Sequence, residues 1–331
     1  MLRYLSPFAV LVAAVWPAVA AEPAAVVAKK TETAVEFFVG SELVARYHVG
    51  QAIAKPYLWP LNAPGEVPVT RGWPMQKGLP NETIDHVHQK SAWFCHGDVI
   101  PEGLELQSKS SDKRVKGVDF WSETPGHGRI VVIEVVKPTS EIAQARVATK
   151  NEWRGPDGTK IMDENRTITV RNLGNARLVI LDIDLHASVC PITFGDTKEG
   201  SMGVRVNDEI RVAKGNGTYV NADSKKNEKE VWGRRSDWND YSGKVGEKEA
   251  GIALFDDPRN KVRASWHSRD YGLMSANPFG RAGSFPSLKE EKELFKLAKG
   301  EHLKLRYGLL LHAGDAKAAK VAEHYSAFAK E

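Results

Sequence analysis

One short segment of the sequence concentrates histidines and carboxylates. Asp85, His86 and His88 begin it, and His96 and Asp98 end it. If the segment is a strand, the imidazoles of His86 and His88 point to the same face. Two neutral imidazoles and a carboxylate can bind a divalent metal, here through Asp85, His86 and His88. The same groups can instead hydrogen-bond a substrate and transfer protons, or cap nearby backbone groups.

Two further segments carry groups suited to acid–base chemistry. The glycine-rich stretch 194–205 holds Glu199, a candidate general acid or base, and Arg205. His267 and Arg269 stand two residues apart, so a strand would place both on one face, where they could stabilise an anionic intermediate. Both patterns are also typical of structural ion pairs, and the two interpretations stay open at this point.

Aromatic residues alternate with polar ones in a fourth segment, residues 231–243. Trp232, Trp238 and Tyr241 are interleaved there with arginines and aspartates. Flat aromatic faces beside planar hydrogen-bonding groups suit a sugar, whose ring has apolar C–H faces and a belt of hydroxyls. The segment therefore predicts a stacking platform of Trp232 and Trp238, with an aromatic corner of the core as the alternative.

The elements that must position these side chains are mostly strands. Alternating or β-branched runs separated by turn residues predict strands at 35–39, 43–48, 130–136, 143–153, 167–170, 177–186, 202–206, 251–255, 262–267 and 303–311. Helices are predicted at 289–299 and 315–329, and exposed charged loops at 107–117 and 221–230. No alternation of strands and helices and no glycine-rich phosphate loop is present. We predict an all-β fold, a large antiparallel β-sandwich of the super-sandwich type with a C-terminal helix.

The N-terminus has the features of a secretory signal peptide. Arg3 precedes an apolar stretch over 5–16, and Ala18-Val19-Ala20 provides small residues for cleavage after Ala20. The stretch is short for a bilayer span, and no later segment is long and apolar enough to be one. We therefore expect a signal peptide at 1–20, a single β-sandwich domain at 21–331, and a periplasmic or secreted protein without a membrane span.

Charge and cysteine content narrow the function classes. The formal net charge is +4 with basic and acidic residues interspersed, so no basic stripe indicates nucleic-acid binding. The two cysteines, Cys95 and Cys190, could pair in an exported protein, or could be two buried thiols.

Several blocks taken together resemble one bacterial family. The blocks are Lys55-Pro56-Tyr57, Trp59-Pro60-Leu61, Asp85-His86-Val87-His88, Trp93-Phe94, His96-Gly97-Asp98, Asp119-Phe120-Trp121, Gly195-Asp196-Thr197-Lys198-Glu199-Gly200, Trp232-Gly233, Trp238, Tyr241-Ser242-Gly243 and Trp266-His267-Ser268-Arg269-Asp270-Tyr271-Gly272. They resemble an exported family, a domain of unknown function, that is automatically labelled "methane oxygenase PmoA". The membrane methane monooxygenase subunit of that name consists of transmembrane helices, so the resemblance concerns a different, soluble family. The family's association with sugar-modifying proteins implies a carbohydrate ligand.

These observations lead to one expected function and two alternatives. The super-sandwich resembles the galactose mutarotase-like fold, in which a cleft on one sheet holds a His and a carboxylate. We expect an enzyme that acts on a carbohydrate or other small molecule by His/Glu acid–base chemistry, as an epimerase, hydrolase or lyase. His88, Glu199 and His267 would be catalytic; Arg205, Trp232, Trp238 and Arg269 would bind substrate. No cofactor is predicted. The alternatives are a non-catalytic carbohydrate-binding module and a metal-dependent enzyme that uses Asp85, His86 and His88.

Overall fold

The computed structural model describes residues 24–331, and within them the chain forms two large antiparallel sheets. The predicted signal peptide, residues 1–20, lies outside the described residues. The first sheet has the order β1-β2-β3-β4-β6-β14-β19-β18, with β5 paired to β4. Its strands are β1 (Val26–Lys30), β2 (Ala34–Val39), β3 (Glu42–His48), β4 (Tyr57–Ala63), β5 (Val67–Pro68), β6 (Ala92–His96), β14 (Gly200–Arg205), β18 (Ser265–Arg269) and β19 (Leu273–Asn277).

The second sheet has the order β15-β16-β17-β21-β12-β11-β10-β8, with β9 paired to β10. Its strands are β8 (Arg129–Val135), β9 (Thr139–Ser140), β10 (Gln144–Arg154), β11 (Lys160–Asn172), β12 (Ala176–His186), β15 (Thr218–Asn221), β16 (Trp238–Val245), β17 (Lys248–Asp256) and β21 (His302–Ala313). A small third sheet joins β7 (Val99–Pro101), β13 (Ile192–Phe194) and β20 (Phe295–Leu297).

The helical elements of residues 24–331 are short. They are the helices α1 (Asn227–Val231) and α2 (Val321–Phe328) and the 3-10 turns Asp208–Ile210 and Pro286–Leu288. Of the helices in this part of the chain, none has the length and apolar character needed to cross a membrane.

The main core lies between the two large sheets. Phe94 of β6 packs on Trp153 of β10 and Tyr307 of β21, so side chains from both sheets interlock. A second apolar cluster covers the other face of the second sheet, where Phe255 contacts Tyr325 and Phe328 of α2. The run Leu178–Leu181 on β12 is continuously apolar because it is buried on both faces.

The predicted all-β antiparallel sandwich is confirmed, and two pairs of its predicted strands form hairpins. β2 and β3 meet at Gly40, whose positive φ of 61° suits a tight turn that most side chains would strain. β11 and β12 pair along their length across the turn at 173–175. The stretch 107–117 lies outside helices and strands, as expected.

Three element predictions are wrong or too broad. Residues 289–299 contain no helix, because Phe295 pairs with Phe194 in the third sheet and the preceding charged residues offer little surface to pack. The C-terminal helix begins only at Val321, although the Asp315 carboxylate still accepts hydrogen bonds from two backbone N–H groups after it. The expected loop at 221–230 contains the start of α1.

Candidate functional site

A polar cleft of about 700 Å³ lies beside the first sheet. Successive side chains of β18 alternate between faces, and Ser268 points toward the second sheet, where its hydroxyl lies 2.8 Å from that of Tyr219. His267 and Arg269 therefore point the other way, and both line the cleft. The predicted shared face of these two residues is present.

The cleft is completed by several other parts of the chain. They are the loop before β6, the loop between β6 and β7, the loop 107–117 with the turn that follows it, the connection from β13 to β14, α1, the turn between β18 and β19, and the segment after β19. His88, Glu199, His267 and Arg269 all line it, so four of the seven predicted site residues meet. Its volume is in the usual range of small-molecule sites.

His267 is held on the floor of the cleft and is 1% exposed. Its Nδ1 lies 2.9 Å from the carbonyl oxygen of Lys198, so Nδ1 carries the proton and donates it. Its Nε2 has no hydrogen-bond partner in the described part of the chain. Burial and the nearby cations Lys198 and Arg269 hold the pKa of His267 well below its usual range. The imidazole is therefore neutral, with an unpaired acceptor at Nε2.

Glu199 lies beside this histidine. Its Oε2 is 3.9 Å from Nδ1 of His267, and its Oε1 bonds to the ammonium group of Lys198. The carboxylate is about one-third exposed, so it is open to a ligand as well. An anionic oxygen at this distance stabilises a positive charge that forms on the imidazole.

Arg269 is fixed from two sides. Its guanidinium lies 4.1 Å from the ring centre of Trp232 and bonds to the carboxylate of Glu228 on α1. Trp232 also meets His267 edge-on, with the ring centres 5.0 Å apart. Trp232 therefore supports Arg269 and His267 from beneath, whereas the predicted stacking platform would require an open ring.

The loop that carries His86 and His88 is not a strand, which corrects the prediction from their spacing. His86 adopts a positive φ of 41° and its ring stacks on Tyr271 at 5.2 Å. The His86 and His88 rings nevertheless meet edge to face, with centres 5.7 Å apart. Burial, together with the nearby ammonium group of Lys55, lowers the pKa of His88 to about 3. His88 is thus a second neutral imidazole in the cleft.

Arg205 lies behind this loop instead of in the cleft. It is fully buried and donates to Gln89 Oε1 at 2.7 Å and to Asp85 Oδ1 at 3.1 Å. Arg71 donates to the same Asp85 oxygen at 2.5 Å. The two guanidinium groups hold the histidine loop against the sheet. Arg205 therefore supports this loop and does not make the predicted direct contact with a substrate.

Trp238 is far from the others, and its predicted place in the same site is wrong. It lies on β16 in the second sheet and lines a different cleft, between that strand and the C-terminal helix. The ring is 9% exposed and belongs to the apolar cluster under α2. The alternative interpretation of this aromatic segment, a corner of the core, therefore fits Trp238.

The metal alternative finds no support in the side-chain geometry. Within residues 24–331, no group of three His, Cys, Asp or Glu side chains is arranged to hold a metal ion. Asp85 is occupied by Arg71, and its second oxygen lies 3.0 Å from Nδ1 of His86. Cys95 and Cys190 are buried free thiols, which is one of the two predicted alternatives.

Sequence reasoning missed the groups that hold the cleft together. Glu228 fixes Arg269, but it sits in a charged stretch that resembles an exposed loop. Asp98 and Asp196 accept hydrogen bonds from backbone N–H groups of neighbouring loops; Asp196 alone binds those of Arg281, Gly283 and Ser284. A carboxylate followed by turn residues gives a weak signal for this role, because its partners lie far away in the sequence.

Comparisons with solved structures give distant similarities. The chain is similar to a galactose 1-epimerase from Lactobacillus acidophilus NCFM, with 9% identity and a TM-score of 0.40 over 88% of this chain and 98% of that one. It is similar to the GH36 alpha-galactosidase AgaA from Geobacillus stearothermophilus, with 9% identity and a TM-score of 0.36 over 89% and 41%. A galactose mutarotase related enzyme from Lactobacillus acidophilus gives 8% identity and a TM-score of 0.29 over 87% and 97%.

The comparison with curated proteins gives no match. A family model described as a family of unknown function (DUF6807) matches residues 34–326. That description confirms the predicted resemblance as far as a family of unknown function, while the methane oxygenase label stays an untested prediction. Because the match spans most of the chain, the protein belongs to this family of unknown function, DUF6807.

Proposed function

We propose that the protein is an exported enzyme that acts on a carbohydrate by proton transfer, with His267 as the proton acceptor. The observation that carries the proposal is the orientation of this buried imidazole. Its Nδ1 proton is committed to the carbonyl oxygen of Lys198, and its Nε2 lacks a partner among residues 24–331. A buried acceptor without a partner is costly, and a substrate hydroxyl would satisfy it.

The surroundings of His267 suit this role. The lowered pKa leaves Nε2 unprotonated at neutral pH, so its lone pair is available to accept a proton, while the burial and the cations that lower the pKa also make the ring a weaker base. When it does, a positive charge forms on the ring, and the Glu199 carboxylate at 3.9 Å stabilises that charge. The proton therefore moves from a substrate hydroxyl to Nε2, while Nδ1 keeps its own proton and its bond to Lys198.

A polyhydroxylated ligand fits the rest of the lining. Most of the residues that line the cleft bring hydrogen-bonding side chains, among them His88, Gln89 and Ser122. Of the two tryptophans next to His267, Trp121 lines the cleft but is 1% exposed, and Trp232 carries the guanidinium of Arg269 over its ring. A binding module that held sugars by stacking would present an open ring, so the geometry favours recognition by hydrogen bonds. Export is part of the proposal and rests on the signal-like residues 1–20.

The test compares turnover by the wild type with that of His267→Gln and Glu199→Gln on a panel of soluble oligosaccharides and free sugars. NMR of the anomeric protons reports epimerisation, reducing-end release reports hydrolysis, and ultraviolet absorbance of an unsaturated product reports elimination. We expect both variants to fold and to lose roughly 100-fold or more in rate, the usual contribution of acid–base groups. His302→Gln, an exposed histidine on the second sheet, is the matched control and should keep full activity.

Full activity of His267→Gln would refute the proposed mechanism. Binding without any product, unchanged in His88→Ala, would instead assign the protein to the carbohydrate-binding modules. Circular dichroism and the thermal unfolding midpoint of each variant separate a loss of chemistry from a loss of structure.

A further inference from the structure

We propose that the cleft accepts neutral or amino-bearing sugars and rejects sugars that carry a carboxylate or a phosphate. This inference deepens the proposed function and rests on it. It is drawn from the charges that line the cleft and from how each of them is already paired.

Every cation in the lining has an acidic partner. Arg269 bonds to Glu228, and Lys198 bonds to Glu199. Arg114 forms a two-pronged pair with Asp112, with Nε–Oδ1 and Nη2–Oδ2 distances of 3.0 and 2.7 Å. An anionic ligand would therefore compete with one of these carboxylates for each cation.

Three further carboxylates in the lining have no cation as their main partner. Asp98 accepts from the backbone N–H of Gly117 at 2.7 Å, and Asp119 accepts from that of Trp121 at 2.7 Å. Asp196 accepts from the backbone of the loop after β19. Backbone donors satisfy the oxygens without cancelling the negative charge. The lining thus holds six carboxylates against three cations, a formal charge of −3 when the histidines are neutral.

The groups behind the cleft offset this excess only slightly. Arg71, Arg205 and Arg211 lie next to Asp85, Asp208 and Glu82, so three cations face three acids there. Lys55 and Lys90 both bond to the single carboxylate of Glu123 at 2.8 and 2.6 Å, which leaves one positive charge in excess beneath His88. The field in the cleft therefore stays negative, and it repels a carboxylate or phosphate while it attracts an ammonium group.

The experiment measures binding of three matched sugars to the full mature chain: galactose, galacturonate and galactosamine, each free and as an oligomer. Ligand-observed NMR and calorimetry give the affinities at low and high salt. We expect galacturonate to bind about tenfold or more weakly than galactose, as for a unit charge roughly 10 Å from an unpaired one in a partly solvated site. Galactosamine should bind at least as well as galactose, and added salt should reduce both differences.

Glu228→Gln tests the cause of the selectivity. This change leaves Arg269 without its acidic partner, so the variant should bind galacturonate better than the wild type does. Glu32→Gln removes one acid from the exposed turn between β1 and β2 and is the matched control. It should leave the order of affinities unchanged.

The possible outcomes separate the two proposals. If the wild type binds galacturonate as tightly as galactose or more tightly, the charge inference is wrong while the carbohydrate function stands. If no sugar of any charge binds, the proposed function itself fails. Both proposals are supported if the wild type binds galactose more tightly than galacturonate and Glu228→Gln binds galacturonate more tightly than the wild type does.

Discussion

The low pKa of His88 predicts a specific pH dependence of stability. In the unfolded chain this imidazole takes up a proton near its ordinary pKa of 6.5, whereas in the native protein it does so only at about 3. Between these two values the unfolded state binds more protons, so the native state loses stability as the pH falls through that window. Above pH 6.5 the contribution of His88 is fully present.

The magnitude follows from the width of the window. A pH of about 5 lies roughly 1.5 units below the pKa of His88 in the unfolded chain. At about 1.4 kcal/mol per unit, protonation of His88 then favours the unfolded state by about 2 kcal/mol. His88→Gln removes the titrating group. The free energy of unfolding of the variant, relative to that of the wild type, should therefore rise by about 2 kcal/mol when the pH falls from about 8 to about 5. Contacts that the substitution removes lower the stability of the variant equally at both pH values and do not affect this difference.

Urea unfolding followed by tryptophan fluorescence at the two pH values measures this difference. The protocol compares free energies of unfolding of the same two proteins, so every other titrating group cancels to first order. Ser111→Ala, an exposed serine without a titrating group, serves as the control and should show no pH-dependent change. A His88→Gln effect that is equal at both pH values would show that His88 titrates normally, and it would remove the argument for a neutral imidazole there.

Two further changes test the groups that support the site. Glu164 is buried and accepts hydrogen bonds from Trp153 Nε1 at 2.6 Å and Arg166 Nε at 2.5 Å. Glu164→Leu leaves the buried guanidinium without its partner, so it should lower the free energy of unfolding by about 3–5 kcal/mol in chemical denaturation. A loss below about 1 kcal/mol would contradict this. Asp196→Asn weakens three backbone bonds and should speed hydrogen exchange at Gly283 and its neighbours; unchanged protection would show that the loop is held otherwise.

The sequence predicted the strands better than their partners. Period-two alternation reports the two faces of a strand, and it placed the ends of β10 and β12 within a residue or so. It does not report which sheet a strand joins. Trp238 looked like a neighbour of His267, but β16 joins the second sheet while β18 joins the first. The helix predicted at 289–299 is absent for a related reason, because the pairing of β20 with β13 outweighs helix propensity.

The candidate site was predictable where residue type alone sets the chemistry. His88, Glu199, His267 and Arg269 stood out as unusual polar residues in apolar or glycine-rich surroundings, and all four line the cleft. Their protonation was not predictable, because it depends on burial and on cations that are distant in sequence, such as Lys55 near His88. The neutral state of both imidazoles limits the predicted proton transfer to one direction, in which each ring starts as an acceptor.

The outward face of β14 explains why the cleft forms at this place. Gly203 faces outward, and a Cβ atom there would come within 2.7 Å of Trp93 and 3.0 Å of Trp121. The missing side chain lets the two indoles lie against the sheet, and the ring of Trp121 lies nearly parallel to that of His267, with ring centres 6.4 Å apart. The imidazole buried beside these indoles has its Nδ1 bonded to the carbonyl oxygen of Lys198, while its Nε2 lacks a partner within residues 24–331. The same packing that lowers the pKa of His267 thus creates the acceptor on which the proposed chemistry depends.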